Sequence, residues 1–357
     1  MPHQDLPRPS RSDAPPQDLK DVLDWLTDGI AFDGLAARRT CTWTPRGLTW
    51  AALLWAGADE PTLAQRFESA RTLVRLAGEQ ADTTAATYQA FLKRLHAWTA
   101  SLMLAVVLAF RRRMRTALAE RFAVAGFEAF GVDGSRLQLP RTASNQRHFA
   151  RPTRRHVRRR RRRSPAETRA EAARRKKAED PQLWLTMMVH LGTGLPWDWR
   201  TGPTDSGERE HLRQMVDALP PEALIVADAG FVGYDLWQTL RQSGRHLLVR
   251  VGSNVRLLSR SGVVRTGDGL VWLWPDHAAR GGQPPLVLRL IVVHEGRHPV
   301  YLVTTILDEA RLPGRAAAEL YRLRWGVELF YRHFKQTFGR RKLRSHRAEN
   351  AVLEADW

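Results

Sequence analysis

Between residue 19 and about residue 122, apolar side chains recur three or four positions apart, as in residues 62–76 (TLAQRFESARTLVRL) and 87–110. That spacing predicts amphipathic helices. Pro45, Gly57, Pro61 and Gly78 punctuate the region into short segments. The pattern changes near residue 127. Residues 127–132 (FEAFGV), 184–191 (WLTMMVHL), 224–227 (LIVA) and 246–251 (HLLVRV) are short apolar runs of the kind that form buried strands. A helical stretch at 211–219 precedes LIVA and another at 233–241 follows it, so the middle of the chain is predicted to be an α/β domain. Residues 263–307 turn strand-rich, with LVLRLIVV and VYLVTTIL joined by a short turn, and read as a β insertion. From Pro313 to Trp357 the pattern is helical again. Residues 1–17, rich in Pro, Ser and charge, read as a disordered arm.

Composition narrows the partners. The 357 residues are 43% hydrophobic, enough for two or three cores, yet the formal charge is +19 and the sequence pI 11.2. Such a surplus calls for a polyanion, either nucleic acid or an anionic membrane surface. The longest apolar run, residues 102–110 (LMLAVVLAF), falls short of the roughly 20 residues of a spanning helix. The N-terminus has no apolar segment of the secretory kind. Cys41 is the only cysteine, which excludes disulfide frameworks and cysteine zinc sites and fits a reducing cytoplasm. Much of the charge sits in residues 151–177, where fourteen Lys or Arg face two Glu, a surplus of twelve. Its six consecutive arginines, Arg158, Arg159, Arg160, Arg161, Arg162 and Arg163, form a solvated basic loop that would bind DNA phosphates without reading sequence.

Two aspartates stand at predicted strand exits. Asp133 follows FEAFGV and opens a Gly-Ser turn, and Asp228 follows LIVA and opens Ala229-Gly230-Phe231. Strand ends in an α/β sheet bring ligands into a shared crevice, although an Asp there also serves as an ordinary turn or cap residue. A predicted helix over residues 319–338 (ELYRLRWGVELFYRHFKQTF) adds a third carboxylate. At about 100° per residue, Leu320, Leu323, Val327, Phe330 and Phe334 fall within an arc of about 80°. Tyr321, Arg324, Glu328 and Lys335 occupy a neighbouring arc of about 60°. An ion pair between Arg324 and Glu328 would account for two of these four residues but not for the whole edge. Phosphodiester chemistry supplies a reason for the set. Carboxylates such as Asp133, Asp228 and Glu328 hold hard cations on both sides of a scissile phosphate, while Arg324, Lys335 and Tyr321 grip or orient flanking phosphates.

The spacing Tyr321-x2-Arg324-x3-Glu328-x6-Lys335 resembles the Y-R-E-K signature of DDE transposases of the insertion-sequence-4 type. Asp133 in VDGSR and Asp228 in VADAGF resemble that family's first and second aspartates, with the β insertion between the second Asp and the Glu. The resemblance implies a ribonuclease-H-like catalytic domain over residues 123–340, interrupted by the basic loop (151–180) and the β insertion (252–310). Before it stands an all-helical module (18–122) expected to bind DNA, and after it a short helical segment (341–357). It further implies two Mg2+ ions, with Mn2+ as a substitute, bound by Asp133, Asp228 and Glu328. The expected partners are double-stranded DNA, as transposon ends and target, and a second copy of the chain in a homodimer. The expected setting is a prokaryotic cytoplasm, at the nucleoid. In some relatives a Trp of the β insertion holds a flipped base; Trp272 and Trp274 lie in that insertion, and core packing is the expected role for both.

Family members usually continue through further helices after the Lys, whereas AVLEADW (351–357) reads as a helix cut short. A truncated, catalytically inactive transposase that occupies DNA ends is therefore the alternative reading, and a plain metal-dependent nuclease is a third. His294-Glu295-Gly296-Arg297-His298 matches the H-E-x-x-H zinc pattern, but Gly296 and Pro299 and the flanking strand-like runs make it a hairpin turn. Asp205, Glu208 and Glu210 lie in a polar stretch (TGPTDSGERE) where solvation is the default and a supporting role near the site is the alternative.

Overall fold

The computed structural model describes residues 18–32, 43–78, 86–150, 180–251, 263–267, 269–274, 282, 284–294, 298–337 and 339–357. The arm at 1–17 and the basic segment with Arg158 to Arg163 lie outside the described residues. The chain divides into two compact units, Met1–Arg112 with Trp357, and Arg113–Asp356.

The described part of the first unit is built from helices: α1 (Leu19–Thr27), α2 (Pro45–Gly57), α3 (Leu63–Leu76) and α4 (Tyr88–Ala117). Each start has a physical cause. Asp18 accepts from the Asp21 N–H, Thr44 caps a helix with Pro at its first position, and Thr62 and Gln65 form a reciprocal capping box. Trp43, Trp50, Trp55, Phe67 and Phe91 are fully buried, with Phe67 and Phe91 stacked at 4.9 Å. Among the described helices, α4 alone has the length and hydropathy to cross a membrane, yet Phe91, Leu95 and Leu102 on it are buried.

The second unit is organised by one nine-stranded sheet. Its strands are β1 (Ala129–Gln138), β2 (Gln182–His190), β3 (Leu195–Gly202), β4 (Leu224–Ala227), β5 (His246–Val251), β6 (Val263–Gly267), β7 (Leu270–Trp274), β8 (Leu286–Val293) and β9 (Val300–Thr304), in the spatial order β3-β2-β1-β4-β5-β9-β8-β7-β6. β1, β4 and β5 run parallel, and β2, β3 and β9 pair antiparallel with their neighbours. The helices are α5 (Ala143–Phe149), α6 (Glu208–Met215), α7 (Tyr234–Gln242), α8 (Gly314–Leu323), α9 (Trp325–Gln336) and α10 (Ala348–Asp356). The sheet is covered on both faces by buried apolar residues, as a sheet with central parallel strands requires.

Strand alternation assigns the faces. Ala129 and Leu137 of β1, Leu185 and Met187 of β2, and Leu224 and Val226 of β4 join one core with Leu320, Val327 and Tyr331 of α8 and α9. By the same period of two, Gly131, Asp133 and Ser135 of β1 lie on this face, and so does Asp228, two residues beyond Val226. A Cβ at Gly131 would stand 2.5 Å from Val327 Cγ2 and 2.7 Å from Leu191 Cδ2, so the missing side chain is what lets α9 lie close on β1. Tyr331, one turn further along α9, shares its hydroxyl proton between the carbonyls of Asp133 and Leu185, each at 2.9 Å. Another turn on, the Lys335 ammonium donates to the Ser135 hydroxyl. Four helical residues advance about 6.0 Å and two strand residues about 6.7 Å, so α9 and β1 stay in step over these three contacts.

Three expectations need correction. β1 does not end before Asp133. It continues to Gln138 because β2 pairs with it throughout, Asp133 opposite Met187 and Gly134 opposite Thr186, and no turn forms at DGSR. The helix expected over residues 319–338 is two helices, α8 and α9, joined at Arg324. There the Arg324 N–H bonds to both Leu320 and Tyr321, the Val327 N–H bonds back to Arg324, and Gly326 follows without a side chain to favour the regular helix. Trp272 and Trp274 are only half-buried, on the strand face opposite buried Val271 and Leu273, so they do not serve as core residues.

Gly131→Ala places a methyl where Val327 and Leu191 already stand. We expect a loss of about 1–3 kcal/mol in unfolding free energy. Urea titration followed by circular dichroism checks it, and an unchanged midpoint would show that α9 can back away without cost.

Candidate active site

Asp133 and Asp228 meet because of parallel register. Gly131 pairs with Val226, so positions two residues further along each strand stand side by side, on the face covered by α9. β4 stops at Ala227 whereas β1 continues to Gln138, which leaves the β1 edge without a strand partner on that side, among the described residues, from beyond Gly131 until Gln138 bridges to Lys342. Asp228 turns the chain there. Its Oδ1 accepts from the Gly230 N–H at 2.8 Å, capping a short 3-10 turn over Ala229–Phe231. Asp133 Oδ1 accepts from the Gly134 N–H at 2.8 Å. Burial pushes the Asp133 carboxyl above its ordinary range, Asp228 and Glu328 add to the rise, and the Gly134 N–H and Arg324 oppose it.

Glu328 lies in the first turn of α9, where the helix dipole favours a carboxylate. Its Oε1 stands 3.1 Å from Arg324 Nη2. Arg324 is only 8% exposed, and its Nε is buried without a hydrogen-bond partner among the described residues. The Tyr321 ring lies 5.4 Å from the Arg324 guanidinium. Burial, with Arg341 nearby, lowers the Lys335 ammonium below its ordinary range, and burial holds the Tyr331 phenol well above its own. Arg324 thus lies over the Tyr321 ring and pairs with Glu328, while Lys335 bonds Ser135 of β1.

The chemistry of this set suits a divalent cation, because hard ions take carboxylate oxygens. The shell is not preassembled, however. Among the described residues no three Asp, Glu, His or Cys side chains converge closely enough to hold a metal ion. Glu328 is instead engaged by Arg324.

Glu208, for which the sequence leaves solvation as the default and a supporting role near the site as the alternative, lies close to the two aspartates. Glu208 opens α6, and its carboxylate fills the space a side chain at Gly134 would need: a Cβ there would stand 2.3 Å from Oε1. Its other oxygen lies 3.7 Å from the equivalent point on Gly230. Burial raises the Glu208 carboxyl to about 7, with Asp133 and Asp228 adding to the rise and Arg136 opposing it. The signal available in sequence was the run Ser206-Gly207-Glu208, a helix start with an acid in its first turn, but nothing local tied it to Gly134. The remaining pieces are structural. His211 Nδ1 lies 2.8 Å from Thr186 Oγ1, and burial lowers both His211 and His190, keeping them neutral. His294 and His298 stand between the antiparallel strands β8 and β9, and neither lies on a helix.

Two aspartates side by side on the sheet, with a glutamate on the helix laid across it, are oxygen donors of the kind that hard divalent cations take. Residues 128–356 match the transposase DDE domain, and the chain belongs to that family. It is 27% identical over 184 residues to the transposase InsG of insertion sequence element IS4 of Escherichia coli (strain K12), a match covering 49% of this chain and 41% of that protein. The match therefore spans well under two thirds of that relative's length. A solved structure, the piggyBac transposase synaptic complex with hairpin DNA, is similar at a TM-score of 0.40 and 13% identity, covering 94% of this chain and 68% of that one.

The raised Glu208 carboxyl fixes the sign of a pH effect. Stability that the neutral acid contributes is fully present below its ordinary value of 4.5 and is lost as pH rises through about 7. In metal-free buffer the melting temperature should fall between pH 5 and pH 8, and Glu208→Gln should flatten that fall. Parallel slopes for the two proteins in scanning calorimetry would contradict it.

Proposed function

We propose that this chain is a DNA transposase that cleaves and joins phosphodiester bonds at the ends of an insertion sequence, with Asp133, Asp228 and Glu328 as its metal-binding catalytic carboxylates. The observation that carries this reading is the pairing of Gly131 with Val226, which sets the two aspartates side by side on the face where α9 supplies Glu328. The order β3-β2-β1-β4-β5, with β2 antiparallel to β1 and with β4 and β5 parallel to it, supports a ribonuclease-H-like catalytic core. The domain bounds we propose remain 18–122 for a DNA-binding helical module and 123–340 for the catalytic domain.

Two Mg2+ ions, or Mn2+ in their place, would be held by the three carboxylates. When bound they would activate the attacking hydroxyl or water and stabilise the leaving oxygen. The chain's own groups do the rest. Arg324, whose Nε is buried without a partner among the described residues, would bind a phosphate oxygen. Lys335 and Tyr321 hold the flanking backbone, and Tyr331 keeps the Asp133 main chain fixed beneath the reaction. The arginines from Arg158 to Arg163 add affinity without sequence choice. The substrate is double-stranded DNA, and joining two ends calls for two copies of the chain, a homodimer in the active complex.

DNA carrying the element's own ends should be nicked at the element boundary only with Mg2+ or Mn2+. Asp228→Asn and Glu328→Gln should each lower the rate at least ~100-fold while leaving end binding intact. Binding without cleavage in the unaltered chain would replace this reading with that of a DNA-binding protein that occupies ends. Cleavage without any end joining would replace it with a nuclease.

A further inference from the structure

We propose that Glu208 is a fourth carboxylate of the metal centre, reaching the cation held by Asp133 and Asp228 from the opposite side of the sheet. This rests on the metal-dependent reading given above. Asp133 and Asp228 lie on the face covered by α9, whereas Gly134, one residue on, faces the other way, towards α6. Glu208 comes from the first turn of α6. Such a residue would ordinarily be screened from the aspartates by the sheet itself. Here the screen has a gap, because β4 ends at Ala227 and, among the described residues, β1 has no strand partner on that edge between Gly131 and its bridge to Lys342 at Gln138.

The glycines on either side mark the path. A Cβ on Gly134 would stand 2.3 Å from Glu208 Oε1, 2.7 Å from its Cγ and 2.8 Å from its Cδ, so any side chain at this position would expel the carboxylate. A Cβ on Gly230 would stand 3.7 Å from Oε2. These same two glycines donate their N–H groups to Oδ1 of Asp133 and Oδ1 of Asp228, each at 2.8 Å. The two oxygens of Glu208 thus reach toward Gly134 in β1 and Gly230 in the turn after β4, whose N–H groups orient the two aspartates. Among the described residues the Glu208 carboxylate has no ion pair or hydrogen bond that would give it a structural role instead. Glu210, two residues on, pairs with Arg213 on its own helix.

The metal-free arrangement gives this a consequence. Glu328 is held by Arg324 and, among the described residues, no three acidic side chains yet converge, so side-chain rotation would bring Glu208 and Glu328 to a cation at the two aspartates. Glu208 would thereby add to how tightly that cation is held.

The test is a calorimetric titration of the full chain with Mn2+ alone, without DNA, on the unaltered protein, Glu208→Gln, Glu210→Gln and Asp133→Asn. Glu208→Gln should weaken Mn2+ binding about tenfold or more, and Glu210→Gln, which removes an equal charge from the same helix, should not. Mn2+ affinity in Glu208→Gln within twofold of the unaltered chain, with binding lost in Asp133→Asn, overturns the role of Glu208 and leaves the transposase reading standing. An unaltered chain that binds no Mn2+ overturns both. If Glu208→Gln does not fold, Gly134→Ala decides in the same titration, since it displaces the carboxylate without removing it: weakened binding supports the proposal and unchanged binding overturns it.

Discussion

The second unit depends on one fit, that of α9 along β1. A helix advances about 6.0 Å in four residues and a strand about 6.7 Å in two, so two such elements keep step for only a few turns. Val327 over Gly131, Tyr331 under the Asp133 carbonyl and Lys335 on Ser135 use those turns fully. Everything at the site follows from this alignment. Glu328 adjoins Val327, Arg324 lies one turn earlier, and both act electrostatically on the Asp133 carboxyl. The fit also locks the strand, because Tyr331 ties the β1 main chain to that of β2 through a single hydroxyl.

Against that rigid ladder, the carboxylates themselves are under electrostatic tension. Burial and mutual repulsion raise Asp133 and Glu208, and Glu328 is kept apart by its ion pair with Arg324. Buried like charges cost free energy unless a cation or a proton joins them. A centre built this way keeps its backbone fixed and leaves only side-chain rotations to the binding event. That division suits a protein of the transposase DDE domain family, in which the same acidic cluster must accept metal and substrate phosphate together.

Much of this was legible in the residues. LIVA and HLLVRV are short apolar runs bounded by turn residues, and both formed strands at the expected positions. The arc of Tyr321, Arg324, Glu328 and Lys335 was readable because helical period depends only on local spacing. Other features were not, for identifiable reasons. The extension of β1 past Asp133 depends on pairing with β2, more than forty residues away along the chain, and Gly-Ser after an Asp carries the local signature of a turn. Tyr331 falls between the apolar and polar arcs of its helix, at about 20° from Leu320, so its place at the seam was available from the wheel. Glu208 was hidden more deeply. Its meaning comes from an absence of side chain at Gly134, and a glycine in a strand reveals what fills its space only once the strand is packed.

The most direct measurement is anomalous diffraction from crystals of the chain soaked in Mn2+. The account predicts a peak between the carboxylates of Asp133 and Asp228, with the Glu328 side chain turned away from Arg324 towards the metal. A peak at some other surface, or a bound ion beside a Glu328 still paired with Arg324, would contradict it.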